Sequence, residues 1–144
     1  MNSSEVREFF ASIPVNRFLG FELTFCERQR CVLTMPTRDE FRQEGGVVQG
    51  GIVAAFADTA SAYAFVSSLG ARETMTGVEY KVNFLEPAKV EGGNLEARAK
   101  VVRRGRRLGV AEVQVSQGER TVLTGLFTYL FQERRRPRAS VVQP

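Results

Sequence analysis

Residues 50–69 read GGIVAAFADTASAYAFVSSL, a twenty-residue run in which Asp58 is the only side chain charged at neutral pH. The run is rich in Ala and poor in strand-breaking signals, and at about 1.5 Å per residue it makes a helix of roughly 30 Å. Its apolar residues go nearly all the way round, which predicts a helix buried on most sides. Desolvating an unpaired carboxylate costs several kcal/mol, so Asp58 must be paired, neutralised or functional.

Outward from this helix the pattern changes to period two. Before it, Phe21, Leu23 and Phe25 alternate with Glu22, Thr24 and Cys26, and after the polar ERQR turn comes CVLTM, which predicts a β-hairpin over residues 20–36. After it come four strand-like runs: one from Val78 to Phe84, then 94–103, 107–117 and 121–131, with Gly105 and Gly118 at the bends of a meander. At the start, Val6, Phe9, Phe10 and Ile13 recur at helical spacing and Pro14 follows, so a short amphipathic helix is expected over residues 1–14. Thr37 to Val48 reads as a loop. The expected class is α+β: a six-stranded antiparallel sheet wrapped around one long central helix, with a short N-terminal helix.

The chain has 144 residues, 43% of them hydrophobic, enough for one domain with its own core, placed at residues 1–132. Residues 133–144, ERRRPRASVVQP, read as a basic, disordered tail that carries +3 of the formal +4 charge. The near-neutral remainder gives no argument for nucleic-acid binding and leaves the tail only a weak electrostatic contact. The start lacks a signal-peptide pattern and the apolar helix carries Asp58, so a cytoplasmic protein without membrane partners is expected.

The sequence contains no histidine. Acid, base or nucleophile chemistry must then run on carboxylates, hydroxyls, thiols, amines and backbone amides. Cys26 and Cys31, five apart, match neither a CxxC motif nor a zinc set and read as reduced packing thiols; no metal is expected. Asp58 leads. The glycine-rich entry GGVVQGG, residues 45–51, places free amides and the positive end of the helix dipole where a carbonyl or oxyanion could be held. At helical spacing the face shared with Asp58 includes Gly51, Ala54, Ala55, Ser61, Ala62 and Phe65. Mostly small, they admit either a packing partner or a substrate chain. Gly51 and Asp58 are seven residues apart, about 10 Å along one axis, so they cannot both touch one reacting carbon. If both are used, the site lies between two subunits of a dimer.

The segments QGGIVAAFADTASAYA, VEYKVNFLEPAK and VVRRGRRLGVAEVQV resemble hotdog-fold acyl-CoA thioesterases of the phenylacetate-degradation, PaaI-like type, over roughly Phe18 to Phe131. The resemblance implies the hotdog fold, with the amide of Gly51 or Gly50 polarising the thioester carbonyl and Asp58 acting as general base or nucleophile. Three positions depart from the family pattern: Gln49 where His is usual, Gln43 where Asn is usual, and Gly77 beside Thr76 where a Ser or Thr often begins the strand. Each substitutes or removes a polar helper near the carbonyl or water.

The turn Arg103-Arg104-Gly105-Arg106-Arg107 concentrates four cations that suit the phosphates of coenzyme A, although a solvated turn explains it equally. Asn83, Thr59 and Thr76 complete the expected substrate-binding set. The function that follows is hydrolysis of a small acyl-CoA or aryl-CoA thioester, with no cofactor beyond the coenzyme A of the substrate. The expected assembly is a dimer with shared sites, pairing into a tetramer. The alternative is a non-catalytic hotdog module that binds acyl-CoA; a hotdog dehydratase is disfavoured because its family chemistry leans on histidine.

Overall fold

A computed structural model describes residues 3–134, so the expected tail lies almost wholly outside the described residues. Two helices come first, α1 (Ser3–Ser12) and α2 (Pro14–Leu19), followed by the hairpin β1 (Glu22–Glu27) and β2 (Arg30–Met35). A two-residue pair, β3 (Arg42–Gln43) with β4 (Val47–Val48), leads into the long helix α3 (Gly50–Val66). Then come β5 (Glu73–Phe84), β6 (Leu95–Arg104), β7 (Leu108–Gln117) and β8 (Arg120–Glu133). The six main strands form one antiparallel sheet in the order β1-β2-β6-β7-β8-β5, curled around α3. This is the expected hotdog architecture. No helix among the described residues is long and apolar enough to cross a membrane.

The sheet's inner face is the core. Leu33, Met35, Leu95, Val113, Val115, Leu123, Phe127 and Phe131 are buried against Phe56, Ala57, Ala60, Ala64 and Phe65 of α3. Small residues on the central strands, Ala97, Ala99 and Ala111, let the helix sit close to the sheet. Fully burying each large aromatic contributes about 2–3 kcal/mol. Cys26 and Cys31 are free and opposite each other across the hairpin. Cys31 is fully buried and Cys26 Sγ donates to Tyr63 O at 3.2 Å. The Cys31 thiol beside it holds Cys26 below the usual thiol range.

Several boundaries differ from the sequence reading, each for a local reason. Pro14 stops α1 but also starts α2, where its missing N–H costs nothing; Gly20, at φ 72°, then ends α2. The long helix stops at Val66 rather than Leu69, because the Ser68 amide and hydroxyl both turn back to Phe65 O. Residues 37–48 hold the β3–β4 pair and two single 3-10 turns where a plain loop was expected. Glu133 ends β8 rather than opening the tail. β5 begins five residues before Val78, since a bulge between Gly77 and Glu79 shifts the register and breaks the alternation there.

The largest correction concerns the burial of α3. Its inner residues are buried, but Gly51, Ala55 and Asp58 are exposed, with Thr59 and Ala62 half-buried, forming one open stripe along the helix. Of the small-residue face expected around Asp58, Ala54, Ser61 and Phe65 turn inward instead. The carboxylate of a single chain is therefore not desolvated. Alongside the stripe, the edge strand β5 and its continuation leave Val78, Tyr80, Phe84 and Leu85 between 55% and 57% exposed.

Candidate active site

The entry to α3 is built by Gln49. Its backbone N–H donates to Phe41 O at 2.8 Å, and its side-chain Oε1 caps the helix by accepting from Ile52 N at 3.0 Å. Val53 N reaches Gln49 O at 3.4 Å. The Gly50 and Gly51 amides are then left without acceptors among the described residues, as the first turn of a helix requires. A Cβ on Gly51 would stand 2.8 Å from Gln49 Oε1, so the glycine makes room for the cap. The cap also commits the Gln49 oxygen and leaves its Nε2 to donate. Gln43 reaches the same place through β3: with Gly50, Val47, Val48, Phe84 and Pro87 it lines a cleft of about 460 Å³.

Asp58 lies two turns further on, in a separate cleft of about 370 Å³ lined with Gly77, Val78, Glu79, Tyr80, Thr128 and Tyr129. Tyr129 donates to Asp58 Oδ1 at 2.7 Å. Ser61 Oγ lies 2.6 Å from the same phenol and 2.7 Å from Asp58 O, closing a ring of contacts around the carboxylate. Both Tyr129 and Ser61 are buried. Burial pushes the Tyr129 phenol well above its ordinary range; the Ser61 hydrogen bond opposes this and the Asp58 charge adds to it. The phenol therefore keeps its proton and remains a donor. Sequence reading placed Ser61 only among the small residues of the Asp58 face and passed over Tyr129. Ser61, three residues after Asp58 on a helix, carried a usable signal; Tyr129, 71 residues away, carried none.

The remaining expected residues divide. Arg104 pairs with Glu73 at 2.7 Å, lies 3.4 Å from the Phe131 ring and donates to Gly105 O. The hydrogen bond from Arg104 to Glu73 Oε2, with that from the Gly70 amide, holds the Glu73 carboxyl below its usual range. This arginine ties the β6–β7 turn to the start of β5 and is not a free phosphate ligand. Arg103, Arg106 and Arg107 are exposed. The turn sits at the same end of the sheet as Asp58, since Arg104, Gly109, Tyr129 and Gly77 are successive register partners across four strands. Asn83 lies away from Asp58: it accepts from Lys81 Nζ at 2.5 Å and opens, with Arg98 and Lys100, onto a different cleft. Thr76 is exposed on β5, and Thr59 donates within the helix to Ala55 O at 3.0 Å.

One chain thus carries two separate groups of candidate residues, free amides with Gln43 and Gln49 at the helix entry and a held carboxylate about 10 Å along it. The model of the family described as "Thioesterase superfamily" matches residues 45–124, which include Gln49, Gly50, Gly51 and Asp58 but neither Gln43 nor Tyr129. A protein of Saccharolobus solfataricus, provisionally named as the esterase SSO2140, is 31% identical over 103 residues, 72% of this chain and 71% of that protein. Among solved structures, a thioesterase family protein from Silicibacter pomeroyi is 34% identical with a TM-score of 0.83, covering 91% of this chain and 98% of that one. The PaaI protein of the E. coli phenylacetic acid degradation operon shares the fold at a TM-score of 0.80, with 22% identity and 92% coverage of each chain.

Proposed function

This chain belongs to the thioesterase superfamily, and on that premise we propose that it hydrolyses a small acyl-CoA or aryl-CoA thioester at sites shared between two copies. The observation that carries the reading is Asp58 itself: a carboxylate exposed on a stripe of small residues, with Oδ1 held and Oδ2 unengaged among the described residues. Small side chains at Gly51, Ala55 and Ala62 leave room for a second helix and a thin acyl group. The unpaired, apolar edge of β5 beside them supports pairing with a second copy, because such an edge otherwise invites uncontrolled association.

In this reading the Gly51 N–H of one copy polarises the thioester carbonyl, helped by the helix dipole and by Gln49 Nε2. Asp58 of the other copy takes a proton from water as the water's electron pair forms the new C–O bond. The tetrahedral intermediate then collapses, the C–S bond breaks, and the departing thiolate takes the proton back from Asp58. Arg103, Arg106 and Arg107 offer cations to the coenzyme A phosphates from the neighbouring turn. Asp58→Asn keeps the size and the hydrogen bond from Tyr129 but cannot take the proton. Thiol release from a panel of aryl- and aliphatic-CoA thioesters should fall to background in this variant with fold and assembly intact. Undiminished turnover would overturn the proposal, and tight calorimetric binding of the thioesters by the native protein without thiol release would favour a binding module instead.

A further inference from the structure

We propose that Tyr129, seated by Ser61, is the positioning residue of the reaction: it holds Asp58 Oδ1 and leaves Oδ2 as the oxygen that meets the attacking water. The inference rests on Asp58 acting as proposed above and adds the device that orients it. Asp58 is exposed in the middle of an open helix stripe, where two side-chain torsions would be free to turn. The 2.7 Å bond from Tyr129 removes that freedom. Tyr129 is itself fixed: its ring packs on Phe65 at 5.5 Å between centroids, and its hydroxyl lies 2.6 Å from buried Ser61. Ser61 is in turn 2.7 Å from the backbone carbonyl of Asp58, so side chain and main chain of the acid are referenced to one another.

Proton bookkeeping agrees with this arrangement. The phenol has one proton and gives it to Oδ1, while Ser61 donates to the phenol oxygen or to Asp58 O, leaving no buried hydroxyl unsatisfied. When water gives its proton to Oδ2, Oδ1 still accepts from Tyr129, so nothing in the ring must break during the step. Buried and held to its proton, the phenol transfers none itself. The titratable groups lining the cleft around Asp58 are Tyr129 from β8 and Glu79 and Tyr80 from β5. The phenol is the one that donates to the carboxylate.

Tyr129→Phe keeps the ring and deletes the hydroxyl. We expect kcat to fall by about tenfold to a hundredfold with KM changed by less than about twofold, because substrate contacts remain and orientation is lost. Ser61→Ala should do the same more weakly, and the double variant should be no worse than Tyr129→Phe alone, because Ser61 acts through the phenol. A Tyr129→Phe protein with native kcat, or one whose loss lies in KM and not in kcat, overturns the inference. Should that variant not fold, native kcat in Ser61→Ala overturns it. Residual hydrolysis in Asp58→Asn would instead strike the function itself, so the two failures are distinguishable.

Discussion

The shared site makes a prediction that no single-chain site can imitate. Gly51 and Asp58 lie on one helix about 10 Å apart, so under the proposed reaction each catalytic set draws its amide and its carboxylate from different copies. Two inactivating changes should then complement. Asp58→Asn removes the base. Gly51→Pro removes the amide hydrogen at a first-turn position whose N–H has no intrahelical acceptor, so the helix itself tolerates it. The proline would crowd Gln49 Oε1, since an added Cβ alone would stand 2.8 Å from it, and losing that cap costs about 1 kcal/mol. That is too little to unfold a domain of ordinary stability. Each variant alone should release no thiol from an acyl-CoA substrate. Refolded together in equal amounts, random pairing makes half the dimers mixed, and each mixed dimer has one site with both groups intact, so about a quarter of native activity should return. Differential tags would isolate the mixed dimers, in which about half should return. Purified mixed dimers without activity would refute the shared site.

Gly77 lies in the Asp58 cleft, and a Cβ there would meet only Tyr129 Cε1, at an ordinary 3.7 Å. Gly77→Ser should therefore fold normally, supply the strand hydroxyl the family often carries, and raise kcat by about threefold to tenfold in the thiol-release assay. Arg104→Ala removes a half-buried ion pair and a ring contact and should cost about 1–3 kcal/mol in denaturant unfolding. Arg106→Ala and Arg107→Ala should leave stability unchanged and raise KM for CoA thioesters by about twofold to tenfold, an effect that weakens as salt rises. Burial pushes Tyr63 up to about 12 from its ordinary 10. The folded state then favours the protonated phenol, so its contribution is present below about pH 10 and is lost as pH rises from there toward 12. Unfolding free energies at about pH 8 and about pH 11 should differ by about 1–1.5 kcal/mol through this group in the native protein and by less in Tyr63→Phe.

The fold was legible where pattern and packing agree. The Ala-rich run marks α3 because no strand period fits it, and the meander of β6, β7 and β8 shows alternation ended by turn glycines. Legibility failed where the chain breaks its own period. The Gly77–Glu79 bulge hid half of β5, and six residues of α2 are too few for a periodic signal. In the candidate site, the acid and the glycine entry stand out by chemistry alone. Tyr129 does not, since a tyrosine in the strand TYLF reads as one more inward aromatic, and only the fold reveals that its hydroxyl ends beside Asp58.

The apolar character of α3 was read as burial inside one chain, and the structure assigns only its inner faces to that core. What remains is an unusual combination for a free surface: Gly51, Ala55 and Ala62 without long polar side chains, next to a sheet edge carrying Val78, Tyr80 and Phe84. A monomer's open helix face would ordinarily be rich in charge, and its open edge strand would be short, charged or covered. Neither holds here. A second copy laid across both features would explain them together, and it would also restore the original tension over Asp58. In the proposed dimer the stripe would close, bulk water would be kept out apart from the reacting molecule, and the lone carboxylate would become the partly desolvated acid that the sequence suggested. The bond from Tyr129 then has its full value, because a charge-assisted hydrogen bond gains strength as the surroundings dry. On the proposed assembly, the exposure of Asp58 in one chain and its predicted burial would be successive states of one residue.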